Sequence, residues 1–267
     1  KTFDLEFSTS LNQENFPLIS NNEILGSPIV VDLDGNNVND IILATAIGKV
    51  HRYENGIEII NENWPYDIGN QVWGSPAVAD LDNDGDQDVI ICSKSKYIYI
   101  FDKNGLHTTY YAGSWLMGSP AIGQLDDDDD LEIAIAGYSS SDKNIYAINH
   151  DGTEVDGFPF YIGEKVLRGL ALYDFNNNGI DDIIFGSDSN NLTLLYDDGT
   201  LGWFFSTDDK IQSAPSILNT GNDIFIFFGS NDDYMYCLNM YGELIFNIET
   251  EGNIKSTASF LYYDEIL

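Results

Sequence analysis

A nine-residue phrase occurs three times in this chain and constrains its fold more than any other feature. Each copy reads Gly-Ser-Pro, three apolar or small residues, an Asp or Gln, Leu and Asp. The clear copies begin at Gly26, Gly74 and Gly118. Fainter copies begin at Arg168, Ser213 and Ser256. The starts are 48, 44, 50, 45 and 43 residues apart, and such a period indicates a repeat architecture.

Every unit carries the same order of short apolar segments. A first strand-like run precedes an acidic loop, a second run follows it, a third ends at a Gly turn, and a fourth leads into the next unit. The runs are rich in β-branched and aromatic residues, and none shows the apolar spacing of a helix. Four short strands at this period predict the blades of a β-propeller.

We therefore predict an all-β fold, a β-propeller of four-stranded antiparallel blades with five visible repeats and a truncated sixth. A single blade would leave a sheet face bare, so the blades must stack, and residues 1–267 should form one domain. Six or seven blades would complete the ring. Closure is expected to need further C-terminal residues, or strands in residues 1–25, among them Phe3–Phe7, that join the last blade. Without an initiator Met, the chain is expected to belong to a larger polypeptide.

The charge of the chain excludes several classes of partner. Eleven Lys and Arg face 44 Asp and Glu, which gives a formal net charge of −33. Such a polyanion should repel nucleic acids and anionic membranes. No apolar run reaches the roughly 18 residues of a membrane span. Cys92 and Cys237 lie in separate apolar runs, which predicts two free buried thiols and gives no support for a zinc site.

Four acidic loops, residues 32–40, 80–88, 124–132 and 174–182, are the candidate metal sites. Oxygen-bearing side chains recur at loop positions 1, 3, 5 and 9, with a turn former at position 6. Calcium takes six to eight oxygens at about 2.3–2.6 Å, and position 7 can add its carbonyl, whereas magnesium rarely accepts such a cage. The loops hold 17 of the 44 acidic residues in 36 positions. Such crowding without a cation would be destabilising.

Two other interpretations of these loops were weighed. An EF-hand needs Glu at position 12, where these loops have only apolar residues: Leu43, Ile91, Ile135 and Phe185. The EF-hand is therefore rejected. Plain solvated acidic turns stay open as the alternative, more so for the third and fourth loops. The fifth unit, at 218–223, lacks the oxygen pattern and should bind no metal.

Residues 75–89, Ser-Pro-Ala-Val-Ala-Asp-Leu-Asp-Asn-Asp-Gly-Asp-Gln-Asp-Val, and their copies closely resemble the FG-GAP/VCBS repeats. These are calcium-loop β-propeller repeats, also found in integrin α subunits and secreted bacterial proteins. The resemblance covers about residue 16 to the C-terminus. It implies up to four calcium ions, one for each acidic loop.

The ligands that the resemblance implies follow by loop position. Those of the first two loops are Asp32, Asp34, Asn36, the carbonyl of Val38, Asp40, Asp80, Asp82, Asp84, the carbonyl of Asp86, and Asp88. Those of the other two are Gln124, Asp126, Asp128, Asp130, Glu132, Asp174, Asn176, Asn178, the carbonyl of Ile180, and Asp182. The third loop departs from the pattern at positions 1 and 9 and lacks the Gly. The amides of the fourth loop reduce its ligand charge.

The resemblance implies a non-catalytic, calcium-stabilised binding or adhesion module, or an accessory module, of a secreted or cell-surface protein. Its ligand would be a protein or a glycan. Calcium sites of extracellular type, with dissociation constants of about 10⁻⁴–10⁻³ M, stay largely empty in the cytosol. We therefore expect an extracellular location.

Two alternatives for the function stay open. The chain could be a purely structural spacer, or the propeller domain of a secreted carbohydrate-active enzyme similar to polysaccharide lyases. A lyase needs a base and cationic groups, yet the chain has only three His (His51, His107 and His150) and two Arg (Arg52 and Arg168), scattered over different units. We therefore expect no enzymatic activity.

Overall fold

A computed structural model of the chain describes residues 14–139 and 144–260. Within these ranges all regular structure is β, and no helix is present that could cross a membrane. The strands form five antiparallel sheets, which confirms the predicted all-β propeller fold. The predicted strand Phe3–Phe7 and the end of the sixth repeat, residues 261–267, lie outside the described residues.

Each sheet is one blade, and its strands pair in sequence order. The first blade contains β1 (Ile29–Val31), β2 (Asp40–Ala44), β3 (Lys49–Glu54), β4 (Ile57–Glu58) and β5 (Tyr66–Asp67). The second contains β6 (Ala77–Ala79), β7 (Asp88–Cys92), β8 (Tyr97–Asp102) and β9 (Gly105–Tyr111). The third contains β10 (Ala121–Gly123), β11 (Glu132–Ala136), β12 (Asn144–Ile148) and β13 (Phe160–Tyr161).

The last two blades follow the same order. The fourth contains β14 (Ala171–Tyr173), β15 (Asp182–Gly186), β16 (Asn191–Leu195) and β17 (Leu201–Ser206). The fifth contains β18 (Ser216–Asn219), β19 (Ile224–Gly229), β20 (Tyr234–Asn239) and β21 (Leu244–Glu249). In the first blade the fourth strand is interrupted, because β4 and β5 both pair with β3, one near each end.

The antiparallel order gives the propeller two different faces. The first strand of each blade ends at the acidic loop, and the hairpin turn between the third and fourth strands lies at the same end. We call this end the acidic face. The loops between second and third strands, and the linkers between blades, lie at the other end, which we call the linker face.

The repeated Gly-Ser-Pro phrase packs backbone against backbone where the innermost strands meet. A Cβ atom at Gly74 would lie 2.2 Å from the carbonyl oxygen of Gly118, so only glycine fits there. The N–H of Ser75 donates to Ser119 Oγ at 2.9 Å, and Ser27 N–H bonds in the same way to Ser75 at 2.8 Å. Glycine allows the close approach, and the serine hydroxyl satisfies the next backbone donor.

The core lies between blades, and the second strand of a blade is buried on both sides. In β7, Val89 and Ile91 pack with the side chains of the first blade, whereas Ile90 and Cys92 pack with those of the third. Alternate residues of a strand point to opposite faces, which explains the unbroken apolar run. Cys92 and Cys237 are free and buried, as predicted.

Candidate metal centres on the acidic face

The first, second and fourth acidic loops share one conformation, held by hydrogen bonds from their own backbone. In the second loop the N–H of Asp84 donates to Asp80 Oδ1 at 3.1 Å and to Asp82 Oδ1 at 3.3 Å. The N–H of Gly85 donates to Asp80 Oδ2 at 3.0 Å, and that of Asp86 donates to Asp84 Oδ1 at 2.8 Å. These bonds turn the side chains of positions 1, 3 and 5 toward one point.

The first and fourth loops repeat these bonds. The N–H of position 5 donates to the position 1 carboxylate at 3.1 Å in each: Asn36 to Asp32, and Asn178 to Asp174. The N–H of position 7 donates to the position 5 side chain, at 2.7 Å from Val38 to Asn36 and at 2.9 Å from Ile180 to Asn178. Position 6 is left-handed in three loops: Asn37 (φ 64°), Gly85 (φ 90°) and Gly179 (φ 95°).

Position 9 supplies an acid that begins the second strand in each of the first four blades; Asp40, Glu132 and Asp182 are buried and Asp88 is half-buried. Its carboxylate accepts the N–H of position 2 in all four loops. These pairs are Asp40 with Leu33 at 3.2 Å, Asp88 with Leu81 at 3.2 Å, Glu132 with Leu125 at 2.6 Å, and Asp182 with Phe175 at 2.8 Å. The bond holds one carboxylate oxygen beside the loop and closes it.

Two loops bring three carboxylates together. Oxygens of Asp80, Asp82 and Asp84 lie within 4.8 Å of one another, and so do those of Asp126, Asp128 and Glu132. The four loops thus form repeated oxygen cages, two of which are strongly anionic.

Burial leaves this negative charge poorly compensated. Glu132 is fully buried, its Oε2 accepts the Leu125 N–H, and its Oε1 has no hydrogen-bond partner. Burial, together with the neighbouring loop carboxylates, raises the pKa of Glu132 to about 7. Burial likewise raises the pKa values of Asp88 and Asp182 to about 6. An orphaned, desolvated carboxylate oxygen among other carboxylates fits a hard divalent cation.

The first loop differs, because a guanidinium occupies its interior. Arg52 Nε donates to Asp40 Oδ1 and Arg52 Nη2 to Asp34 Oδ2, both at 2.7 Å. Arg52 is 5% exposed and Asp40 is fully buried. Two of the ligands predicted for this loop, Asp34 and Asp40, are therefore already paired with a cation of the chain itself.

Sequence reasoning did not identify this role of Arg52. In β3 it stands opposite Ile42, and the corresponding residues of the next three blades are Ile100, Ala147 and Leu194. The sequence signal for this role was a single Arg at a strand position that is apolar in the next three blades.

The hairpin turn of each blade places a second missed residue against the loop. Glu54 accepts from Asn36 Nδ2 at 2.9 Å, and Asp197 accepts from Asn176 and Asn178 at 3.3 and 3.2 Å. Lys103 pairs with Asp86, and His150 Nδ1 lies 3.5 Å from Asp130 Oδ2. Loops with amide ligands thus meet a turn carboxylate, and loops with an acid at position 7 meet a cationic or titratable turn residue.

Gln124 of the third loop acts as a brace in the structure. Its Nε2 donates to the carbonyl of Asp126 at 2.8 Å and to that of Asp128. Position 1 therefore donates to the loop backbone instead of accepting from it as Asp80 does. The left-handed residues of the described chain do not include Asp129, the position 6 residue here. Asp126, Asp128 and Glu132 nevertheless converge.

The degenerate fifth unit folds as a plain turn. Asp223 N–H donates to Thr220 Oγ1 at 3.2 Å, and Gly221 N–H donates to Asn219 Oδ1 at 2.7 Å. No group of three acidic ligands converges there among the described residues.

The five residues considered for a lyase do not share one cleft in the described chain, although His107 and His150 line a pocket beside the second loop. His51 and Arg52 are neighbours in β3 and so face opposite sides of the sheet. His51 Nδ1 lies 2.6 Å from Glu58 Oε1, whereas Arg52 points into the first loop. Arg168 lines a pocket at the linker face.

Comparison with known proteins supports the fold. No family model matches the chain, and no curated protein matches it significantly in sequence. Among solved structures it is similar to BBS1N crystallised with ARL6DN (TM-score 0.63, 12% identity, 90% of this chain and 72% of the other). It is also similar to the V. cholerae biofilm matrix protein Bap1 (0.63, 20%, 86% and 40%) and to BamB from Moraxella catarrhalis (0.53, 18%, 90% and 78%). At these identities the likeness shows the β-propeller fold alone.

Proposed function

We propose that the chain is a calcium-stabilised extracellular β-propeller of the FG-GAP/VCBS type. The observation that carries this proposal is the fully buried Glu132, whose Oε1 is unpaired beside Asp126 and Asp128. In all four loops the position 9 carboxylate accepts the N–H of position 2, so the placement of an acid beside the loop belongs to the repeat. Calcium suits these cages because it accepts many oxygens in irregular geometry.

The loops are expected to differ in calcium affinity. In the second loop, Asp80, Asp82, Asp84 and Asp88 would hold the ion, with the carbonyl of Asp86. The third would use Asp126, Asp128 and Glu132. The fourth would use Asp174 and Asp182 with its two Asn side chains, helped by the turn carboxylate Asp197. The first needs no ion while Arg52 is in place.

The proposed role is that of a binding, adhesion or accessory module in a larger secreted or cell-surface protein. A rigid propeller held by extracellular calcium suits recognition of a protein or glycan, and we propose no catalytic activity. The likeness in fold to a biofilm matrix protein is compatible with this role. A purely structural spacer would bind calcium equally well but would have no ligand.

Calcium titration with thermal unfolding tests the proposal. A site whose dissociation constant lies 100-fold below the free calcium concentration adds about 2.7 kcal/mol to stability. Chelator should lower the melting temperature strongly, and Asp84→Ala should lose more of the calcium response than Asn176→Ala. Asp223→Ala, in the fifth unit, should lose almost none. An unchanged melting curve in chelator, with metal shown to be absent, would refute calcium stabilisation.

A further inference from the structure

The linker face holds seven of the nine described Lys and Arg residues: Lys49, Lys94, Lys96, Lys165, Arg168, Lys210 and Lys255. Lys210 pairs with Asp188 at 3.5 Å, and the other six form no ion pair with a described residue. The same face also carries acidic residues, among them Glu164, Asp188, Asp208, Asp232 and Glu251. An external anion is therefore expected only where the cations line a cleft apart from carboxylates.

Aromatic rings alternate with these cations. Lys94 Nζ lies 5.5 Å from the ring centre of Trp73 and 4.9 Å from that of Trp115. Lys165 Nζ lies 5.6 Å from the ring centre of Tyr138. Trp115 is 47% exposed. We call these five side chains the aromatic-cation track.

The propeller repeat sets the spacing of the track. The N–H of Lys94 donates to the carbonyl of Gln71 at 2.9 Å, and that of Tyr138 donates to Trp115 at 2.8 Å. In the fourth blade the N–H of Asp188 donates to Lys165 at 2.9 Å. The three bonds occupy equivalent positions in successive blades. The track is therefore built on backbone that the fold holds in place.

Two clefts lie along the track. The first, of about 340 Å³ at the centre of the face, is lined in part by Trp73, Arg168 and Lys255. The second, of about 390 Å³, is lined by Lys96, Trp115, Tyr138, Ser139 and Lys165. Among the described residues neither lining includes a carboxylate, although the Tyr138 hydroxyl donates to Asp188 Oδ2 at 3.1 Å. Arg168 Nε is buried and has no hydrogen-bond partner among the described residues.

We propose that the aromatic-cation track binds an acidic polysaccharide. Each sugar of such a polymer combines an apolar C–H face with an anionic group, and the track alternates the matching chemistries. The negative face of an aromatic ring attracts polarised C–H groups, and the unpaired cations attract the carboxylates or sulfates. The inference rests on the proposed function, because it names the ligand class of the binding module.

Other polyanions match the track less well. Single-stranded nucleic acid also pairs stacking rings with phosphates and meets the same repulsion from the net charge of −33, so it is a competing ligand that the test must include. An anionic bilayer presents a still larger charged surface to the same repulsion. An acidic peptide lacks the flat C–H faces that the exposed Trp115 ring would contact.

Affinity electrophoresis in calcium, with matched polymers in the gel, tests the proposal. Polygalacturonate should retard the protein, and its fully methyl-esterified form should not; dextran sulfate and dextran form the second pair. Trp115→Ala and Lys165→Ala should each weaken binding about tenfold or more. Two control variants should bind as the wild type does: Lys210→Ala, at an ion-paired residue of the same face, and Tyr241→Ala, at an exposed ring of the acidic face.

The outcomes separate this inference from the proposed function. Variants that keep the wild-type calcium-dependent melting shift are folded, so their loss of binding belongs to the track. Absence of wild-type binding to both acidic polymers overturns the inference, as does equal binding by the Trp115 and Lys165 variants. Tighter binding of poly-glutamate, single-stranded DNA or anionic vesicles also overturns it. In all these cases an intact calcium response leaves the proposed calcium stabilisation standing.

Discussion

Replacement of Arg52 by Met should both destabilise the propeller and make the first loop dependent on calcium. Met keeps the unbranched stem and removes the guanidinium that bonds Asp40 and Asp34. Because Asp40 is fully buried, loss of its partner should cost about 3–5 kcal/mol. The side chain of Asp34 is 35% exposed, so its share should stay below about 1 kcal/mol.

Calcium should then restore part of the loss. The vacated loop holds three carboxylates, those of Asp32, Asp34 and Asp40, and the amide of Asn36. With free calcium at 100 times the dissociation constant of this new site, about 2.7 kcal/mol would return. The deficit of Arg52→Met relative to wild type should therefore be several kcal/mol in chelator and much smaller in calcium.

Urea unfolding followed by tryptophan fluorescence, in chelator and in calcium, measures both deficits. Lys210→Met is the matched control. It removes a cation that is paired with Asp188 at 3.5 Å, and the Lys210 side chain is 45% exposed. It should cost less than about 1 kcal/mol in both conditions. A deficit for Arg52→Met below 1 kcal/mol in chelator, or the same deficit in both conditions, would refute the idea that Arg52 substitutes for a metal ion.

Three further changes follow from the same structure. Gly74→Ala should lower the free energy of unfolding by at least about 2 kcal/mol, because the added Cβ would lie 2.2 Å from a backbone oxygen. A Cβ at Gly252 would have nothing within 4 Å, so Gly252→Ala should stay within about 1 kcal/mol of wild type. Urea unfolding measures both variants. In chelator, stability should fall as pH rises from about 4.5 to 7, because the folded state holds the Glu132 proton more tightly than the unfolded state. The rise in the pKa of this buried group from 4.5 to about 7 corresponds to about 3 kcal/mol. Glu132→Gln should therefore make the melting temperature depend less on pH across this range. An unchanged pH dependence would contradict the assignment. Asp197→Ala should weaken calcium binding to the fourth loop in calorimetric titration, because Asp197 accepts from both loop amides. Asp198→Ala is the control and should leave binding unchanged, because Asp198 bonds Thr200 instead. Equal effects would rule out a supporting role for Asp197.

The repeat and the oxygen pattern of the loops were predictable because the residues that define each of them are close together in the sequence. The Gly-Ser-Pro phrase and the oxygen at positions 1, 3, 5 and 9 each lie within nine residues, and hydrogen bonds inside the loop realise them. Arg52 was missed because its partners lie 12 and 18 residues away and meet it only through strand pairing. A strand register has to be known before a lone Arg can be assigned to a neighbouring loop.

The linker-face track was beyond sequence reasoning for a similar reason. Trp73, Trp115 and Lys165 belong to three different linkers, separated by some 40 to 50 residues each. Only the stacking of blades brings them side by side. Within any one repeat, each appears as an ordinary aromatic or charged residue in a turn.

The double burial of the second strands has a consequence for how the molecule opens. Since β7 contributes Val89 and Ile91 to one core and Ile90 and Cys92 to the next, it cannot leave without exposing both. The acid at loop position 9 is the first residue of that same strand, so each candidate ion site is fixed to the seam between two cores. Release of an ion should therefore loosen two blades at once, and hydrogen exchange should show neighbouring blades losing protection together as one cooperative unit.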